Sequence, residues 1–157
     1  MQTVTVPMES LAELISLQLE SGGRASLTVT GISMMPMLRH RRDSVMLVPV
    51  TGPQKKGKII FYRRANGQYV LHRIIGLCGD GYLCCGDNQA QKELVDHQQL
   101  IAVVDGFTRN GRTYALSHLG YRLYTAVWVN LFFLRRYYIA VRRRFGRLRR
   151  QLHKKTH

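Results

Sequence analysis

Four side chains able to take part in acyl chemistry follow one another through the middle of this 157-residue chain. They are Ser33 in TGISMMPMLRH, His72 in VLHRIIG, Asp87 in CCGDN and Glu93 in QKELVD. Amide hydrolysis by a serine needs an oriented hydroxyl, a base for its proton and donors for the oxyanion. Ser33 follows Gly31, where the backbone can turn sharply and present amide N–H groups, and Pro36 stiffens the far side. His72 titrates near neutrality without special burial, so it suits the base. A carboxylate should orient the imidazole and stabilise its charged form, and Asp87 and Glu93 are both open for that role. Singly, each residue has a plain reading as a turn or core residue. The ordered set is what points to chemistry.

The elements that would position these groups are legible from periodicity. ESLAELISLQLESGG spaces Leu11, Leu14, Ile15 and Leu19 as a short amphipathic helix over 8–21, with Ser10 as cap and Gly22-Gly23 as stop. ASLTVTG alternates as a strand, and DSVMLVPV is β-rich up to Pro49. KGKIIFYRRANGQYVLHRIIG reads as a hairpin about Asn66-Gly67, the pair favoured in two-residue turns. That loop sets Phe61 opposite His72. It also puts Val70, His72 and Ile74 on one face, with Leu71, Arg73 and Ile75 on the other. GYLCC and the run 98–116 supply further strands, so 26–117 is expected to form an antiparallel β core of barrel or sandwich type.

Cys78, Cys84 and Cys85 are odd in number and lack the paired C-x-x-C spacing of a zinc site. They read as reduced cysteines in or near a strand, with a redox switch as the other reading; no metal or cofactor is expected. The charge is +15, and 11 of the 24 bases but none of the 9 acids fall in 121–157. Within that segment Leu123–Leu134 is apolar except for Thr125 and Asn130, and arginines follow. The run is too short to span a bilayer. Tyr124, Trp128, Tyr137 and Tyr138 suit a membrane interface, and the arginines suit anionic headgroups. The segment is therefore expected to contact an anionic membrane surface. A helix packed on the body, or a non-specific nucleic-acid contact, are the other readings. The first residues show neither the basic region nor the apolar run of a signal peptide or N-terminal span. The division expected is a domain over 1–120 and a membrane-interface segment over 121–157.

GISMMPML resembles the Gly-x-Ser-Met-x-Pro-x-Leu box around the nucleophile of type I signal peptidases. LHRIIG resembles the box that carries their general base, and CGDN their Gly-Asp-Asn box. The matched region runs from about Thr28 to Glu93. The LexA-like self-cleaving repressors share this β-rich peptidase fold, so the resemblance is to that superfamily. It implies a serine endopeptidase with Ser33 as nucleophile and His72 as base. Many bacterial members carry a lysine where His72 stands, and the histidine is similar to the Ser–His branch; a lysine base must be desolvated to lose its proton, whereas histidine need not be. In that branch a second acid lies a few residues beyond the Gly-Asp-Asn aspartate, here Glu93, so Asp87 and Glu93 remain alternatives, Asp87 first. Members often have a serine at the position of Gly31. Its absence leaves the oxyanion hole to backbone amides, the Ser33 N–H first and the Gly31 region second.

The function expected is cleavage of signal, leader or precursor peptides at a membrane. If 121–157 lies in the membrane plane with its arginines inside, the catalytic domain sits on the cytoplasmic face. Two other classes remain. A LexA-like regulatory or self-cleaving module is disfavoured by the short stretch before Thr28 and by the lack of an Ala-Gly or Cys-Gly segment before Ser33. A catalytically silent, peptide-binding β domain would retain the fold but not the reaction.

Overall fold

The computed structural model describes residues 7–131 together with Leu134, Tyr137, Tyr138 and Val141. The chain is mainly β, an eight-stranded antiparallel sheet curled into a half-barrel with one helix near each end. Helix α1 (Met8–Glu20) leads into β1 (Ala25–Thr28), β2 (Ser44–Val48), β3 (Ile59–Arg63), β4 (Tyr69–Cys78), β5 (Gly81–Cys85), β6 (Glu93–Asp96), β7 (Leu100–Arg109) and β8 (Arg112–Ala115). Helix α2 (Leu119–Asn130) follows. The sheet order is β1-β2-β7-β3-β4-β5-β6, with β8 paired to β7. The expected helix at 8–21 and the β core are thus present.

Helix α1 ends as its glycines dictate. Gly22 takes φ +76°, and the N–H groups of Gly22 and Gly23 reach back to the carbonyls of Leu19 and Gln18, a Schellman closure. Ser10 does not cap: the N-cap is Pro7, which makes no side-chain cap, and Ser10 lies inside the first turn. Ala12, Ile15 and Leu19 are buried against the sheet, whereas Leu14 is exposed. The buried face is therefore narrower than the leucine spacing suggests.

The β3–β4 register differs by one residue from that expected. The Arg64 N–H bonds Gln68, the Gly67 N–H bonds Arg64, and of the loop residues only Gly67 has a positive φ, at +83°. A two-residue type I′ turn needs positive φ at both central positions; here the loop is Ala65-Asn66-Gly67, with glycine at the left-handed position. Ile60, not Phe61, therefore faces His72. The alternation along β4 itself holds. Val70 and Ile74 pack with the Ile60–Tyr62 cluster, and Leu71 packs with Phe61 in the larger core.

The methionines around Ser33 have a packing role. Met34, Met37 and Leu38 are buried and anchor the β1–β2 loop into the main core. Asp43 closes that loop. Its fully buried carboxylate accepts from the Arg39 N–H at 3.0 Å and from Arg42 at 2.6 and 2.9 Å. Arg109 reaches it from β7 at 3.2 Å. The Met35–Pro36 peptide in this loop is cis.

The division expected at residue 120 falls inside α2, whose Tyr121 belongs to the main core. No helix among the described residues is long and apolar enough to cross a membrane. Much of the basic segment, including residues 142–157, lies outside the described residues.

Candidate active site

Ser33 and His72 line one cleft, whose walls are the β1 end (Leu27 to Thr30) and the first half of β4 (Tyr69 to Leu71). Ser33 is half-buried, presented by the loop that Met34 anchors. His72 is buried on the inner face of β4. The two meet across Gly86. A Cβ at that position would lie 2.8 Å from the Ser33 carbonyl oxygen and 3.0 Å from His72 Nε2. Only glycine leaves both groups where they are, which is the physical reason for a glycine before Asp87.

The partner on the other side of the imidazole is Glu93. Its Oε1 lies 2.7 Å from His72 Nδ1. The Tyr62 hydroxyl donates to the same oxygen at 2.5 Å and sits 3.1 Å from Nδ1. Arg64 grips the carboxylate with both donors, Nε to Oε2 at 2.7 Å and Nη2 to Oε1 at 2.9 Å. A carboxylate held this way accepts a hydrogen bond from Nδ1–H, leaving the Nε2 lone pair on the cleft side. That is the tautomer a general base needs. Burial alone would push the Glu93 carboxyl up. Hydrogen bonds from Arg64 and Tyr62 and the nearby positive charges overcome it and hold Glu93 down to about 2. For His72 the balance goes the other way: burial lowers its pKa more than Glu93 raises it, and Arg64 lowers it further. The imidazole is therefore harder to protonate than an ordinary histidine.

Asp87, first of the two alternatives, is placed elsewhere. Its carboxylate is fully buried in a bidentate pair with Arg73, at 2.9 and 2.8 Å, and accepts from the Tyr124 hydroxyl at 3.1 Å. Strand alternation explains the division of labour. Arg73 follows His72 and points to the opposite side of β4, where a buried cation needs a carboxylate. The third residue of the box, Asn88, holds the Ser33 loop. Its N–H donates to the Ser33 carbonyl at 2.7 Å, and its side-chain amide to the Ile32 carbonyl at 3.2 Å.

Of the two oxyanion positions, the Gly31 N–H is already spent, donating to His40 Nδ1 at 2.8 Å. Gly31 takes φ +90°, as its turn requires. The Ser33 N–H has no partner among the described residues, and neither has its hydroxyl. Tyr62 and Arg64 were not foreseen. The one-residue register error placed Phe61 on the His72 face and turned Tyr62 away, so a correct reading of the loop would have found Tyr62.

None of the three cysteines forms a disulfide among the described residues. Cys85 is buried and its thiol meets the carbonyls of Gly86, Gln89 and Gln91 at 3.4, 3.3 and 3.1 Å. Cys84 is buried too, and burial beside Glu93 pushes its thiol up to about 12, which leaves it unreactive at neutral pH. No group of three or more metal-ligating side chains occurs among the described residues. Compared with known proteins, the chain matches no family model and no curated protein.

Proposed function

We propose that this chain is a serine endopeptidase of the signal-peptidase type, with Ser33 as nucleophile, His72 as general base and Glu93 as the acid that orients it. The observation that carries this reading is the directional chain of groups around the imidazole. Arg64 and Tyr62 fix Glu93, Glu93 accepts a hydrogen bond from Nδ1–H, and Nε2 lies beside Gly86 on the side of the Ser33 loop. In the reaction Ser33 Oγ attacks the scissile carbonyl carbon while Nε2 takes its proton, and the imidazolium gains its stabilisation from Glu93. The oxyanion that forms is met by the Ser33 N–H. Collapse of the tetrahedral intermediate returns the proton from Nε2 to the leaving amine, and a water repeats the sequence on the acyl-enzyme.

The cleft suits an extended peptide. Val29 spends its N–H on Asp43 and its carbonyl on Arg41, so strand alternation turns the backbone of Thr28 and Thr30 to the cleft. On the facing wall, Tyr69–His72 pairs with β3 on one edge, and β5 joins β4 only from Arg73 onward. A substrate segment can add as a strand between these two edges. The substrate class is a leader or precursor peptide met at a membrane surface through residues 121–157, on the cytoplasmic face.

The test is cleavage of a precursor peptide together with labelling by a serine-reactive electrophile. The reading expects one adduct on Ser33, lost in His72→Ala, and cleavage lost in both Ser33→Ala and His72→Ala with the fold retained. Cleavage undiminished in both variants overturns it. So does a folded wild type with neither adduct nor cleavage, which would favour a silent peptide-binding domain.

A further inference from the structure

Helix α2 has two apolar faces, and only one of them is used. Tyr121, Tyr124, Thr125 and Trp128 face the body. There they meet Arg73 (3.0 Å to the Tyr121 hydroxyl, 3.1 Å to Thr125 Oγ1) and Asp87 (3.1 Å from the Tyr124 hydroxyl, 2.9 Å from the Trp128 indole N–H to the Asp87 carbonyl). On the opposite side Leu119, Leu123 and Val127 recur at four-residue intervals and are 76%, 66% and 45% exposed. Leu134, Tyr138 and Val141 continue the spacing and are exposed as well. An isolated exposed leucine needs no explanation; a row of them at helical period does.

The surroundings of this row are basic. A groove along the flank of α2 is lined by Lys55, Lys56, Lys58 and Arg122 with a single acid, Asp105, which Arg24 already engages at 3.4 Å. Lys56 Nζ reaches Asn130 Oδ1 at 3.3 Å, at the end of the helix on the side of the exposed row. The lysines therefore stand beside the leucines, at the height a headgroup would have if the leucines entered acyl chains.

We infer that the outer face of α2, flanked by Lys55, Lys56, Lys58 and Arg122, is the part of the folded body that lies on an anionic bilayer. This rests on the membrane reading above, through residues 121–157, and deepens it by naming the face of α2 that makes the contact and by adding Lys55, Lys56 and Lys58 of the folded domain. A second copy of the chain is the poorer occupant, because the same cations and a charge of +15 would repel it. Nucleic acid would use the cations but leave the leucines unemployed. An in-plane helix with a leucine row and basic flanks gains from both terms. The consequence for the site is positional. Trp128 holds the Asp87 carbonyl and Asn88 holds the Ser33 carbonyl, so the bilayer-facing helix stands one residue away from the clamp on the nucleophile loop.

The experiment uses full-length Ser33→Ala, so that the outcome does not depend on peptidase activity, and Leu123→Trp in that background. Trp128 is the only native tryptophan and lies on the inner face. With vesicles of phosphatidylglycerol and phosphatidylcholine, Leu123→Trp is expected to gain a blue-shifted emission that brominated acyl chains quench. Lys55→Gln and Lys56→Gln are each expected to weaken binding about fivefold, and Leu119→Ser about tenfold. Vesicle binding with Leu123→Trp still in water and Lys55→Gln, Lys56→Gln and Leu119→Ser all neutral overturns the inference, while the basic segment keeps the membrane reading. Absence of vesicle binding overturns both. A lipid-free dimer that Leu123→Ser converts to monomer assigns the face to a second copy and also overturns the inference.

Discussion

Arg73 and Asp87 form a bidentate ion pair in which neither side chain reaches solvent. Arg73 follows His72 in sequence, and Asp87 precedes Asn88, the residue that clamps the Ser33 loop. Because the remaining Arg73 donor is shared by the Gly57 carbonyl, Tyr121 and Thr125, the pair joins β4, the β5–β6 turn and α2 at one point. Burial opposes the charge on Arg73, and Asp87 overcomes it, so Arg73 stays protonated. The pair therefore aligns the strand carrying His72 with the turn that holds the Ser33 loop.

Removing one partner leaves a buried charge without its counterion. Asp87→Ala is expected to cost about 3–5 kcal/mol of stability, read as a lower urea midpoint with an unchanged slope. The double variant Arg73→Met/Asp87→Leu should recover much of that loss, since well-packed apolar groups often replace a buried pair without penalty. A folded Asp87→Ala of native stability that has nonetheless lost all cleavage would put Asp87 back into the catalytic role.

Glu93 should behave in the opposite way. Its carboxylate is partly open to solvent, and its bonds orient His72 rather than close the core. Glu93→Gln keeps the shape, but its amide can donate to Nδ1 and so stabilise the wrong tautomer. The expected result is a kcat lower by about 10²–10⁴ with a small change in urea midpoint. Tyr62→Phe removes one donor to Glu93 and should lower kcat by about tenfold at most. Full activity in Glu93→Gln would remove it from the mechanism.

Much of this candidate site is legible in the sequence itself. The order of Ser33, His72 and the two acids, the inward face of His72 and the β-rich core all follow from spacing and alternation. What spacing could not provide was register and partnership. The three-residue loop at Ala65-Asn66-Gly67 looks like a two-residue turn because Asn-Gly favours both, and the slip by one hid Tyr62. Alternation turned Arg73 away from His72 but named no carboxylate for it; that needed the β5–β6 turn brought back across β4. The four residues of β6, which deliver Glu93, were too few to show a period.

The acid limb of catalysis should lie low. Burial depresses the His72 pKa, with Arg64 acting in the same sense, so the base stays neutral as pH falls below the ordinary value of 6.5. The kcat/KM profile is expected to hold its plateau below pH 6.5. Arg64→Met, which deletes that positive neighbour, should move the limb upward. Stability follows a related course. The unfolded chain protonates His72 more readily than the folded one, so stability declines as pH falls through and below 6.5. The Glu93 contribution is present above its ordinary 4.5 and is lost as pH falls toward about 2. Urea midpoints across this range should fall in two stages, and Glu93→Gln should reduce the lower one, leaving the part due to Asp43, whose carboxyl Arg42, the Arg39 N–H and Arg109 hold down against its burial. An acid limb at or above pH 6.5 in the wild type would contradict the buried neutral base.

Gly86 offers the sharpest separation of catalysis from folding. It sits between the Ser33 carbonyl and His72 Nε2, and a methyl group there would meet them at 2.8 and 3.0 Å, with Gln89 Oε1 at 3.0 Å. The Ser33 contact is with backbone, so it cannot be relieved by turning a side chain. The loop must shift instead, against the Asn88 N–H bond at 2.7 Å and the buried Met34 that anchor it. A displacement of a few tenths of an ångström moves the nucleophile relative to the base. Misplacement on the scale of an ångström costs about 10²-fold in rate. Gly86→Ala is therefore expected to lower kcat and the rate of Ser33 labelling together by roughly tenfold, less than the full-ångström penalty, with substrate KM little altered. Overpacking at one position should cost no more than about 1–3 kcal/mol, so the variant stays folded. Equal labelling rates in Gly86→Ala and wild type would show that Ser33 and His72 do not act across this glycine, and the proposed nucleophile–base pair would fall with it.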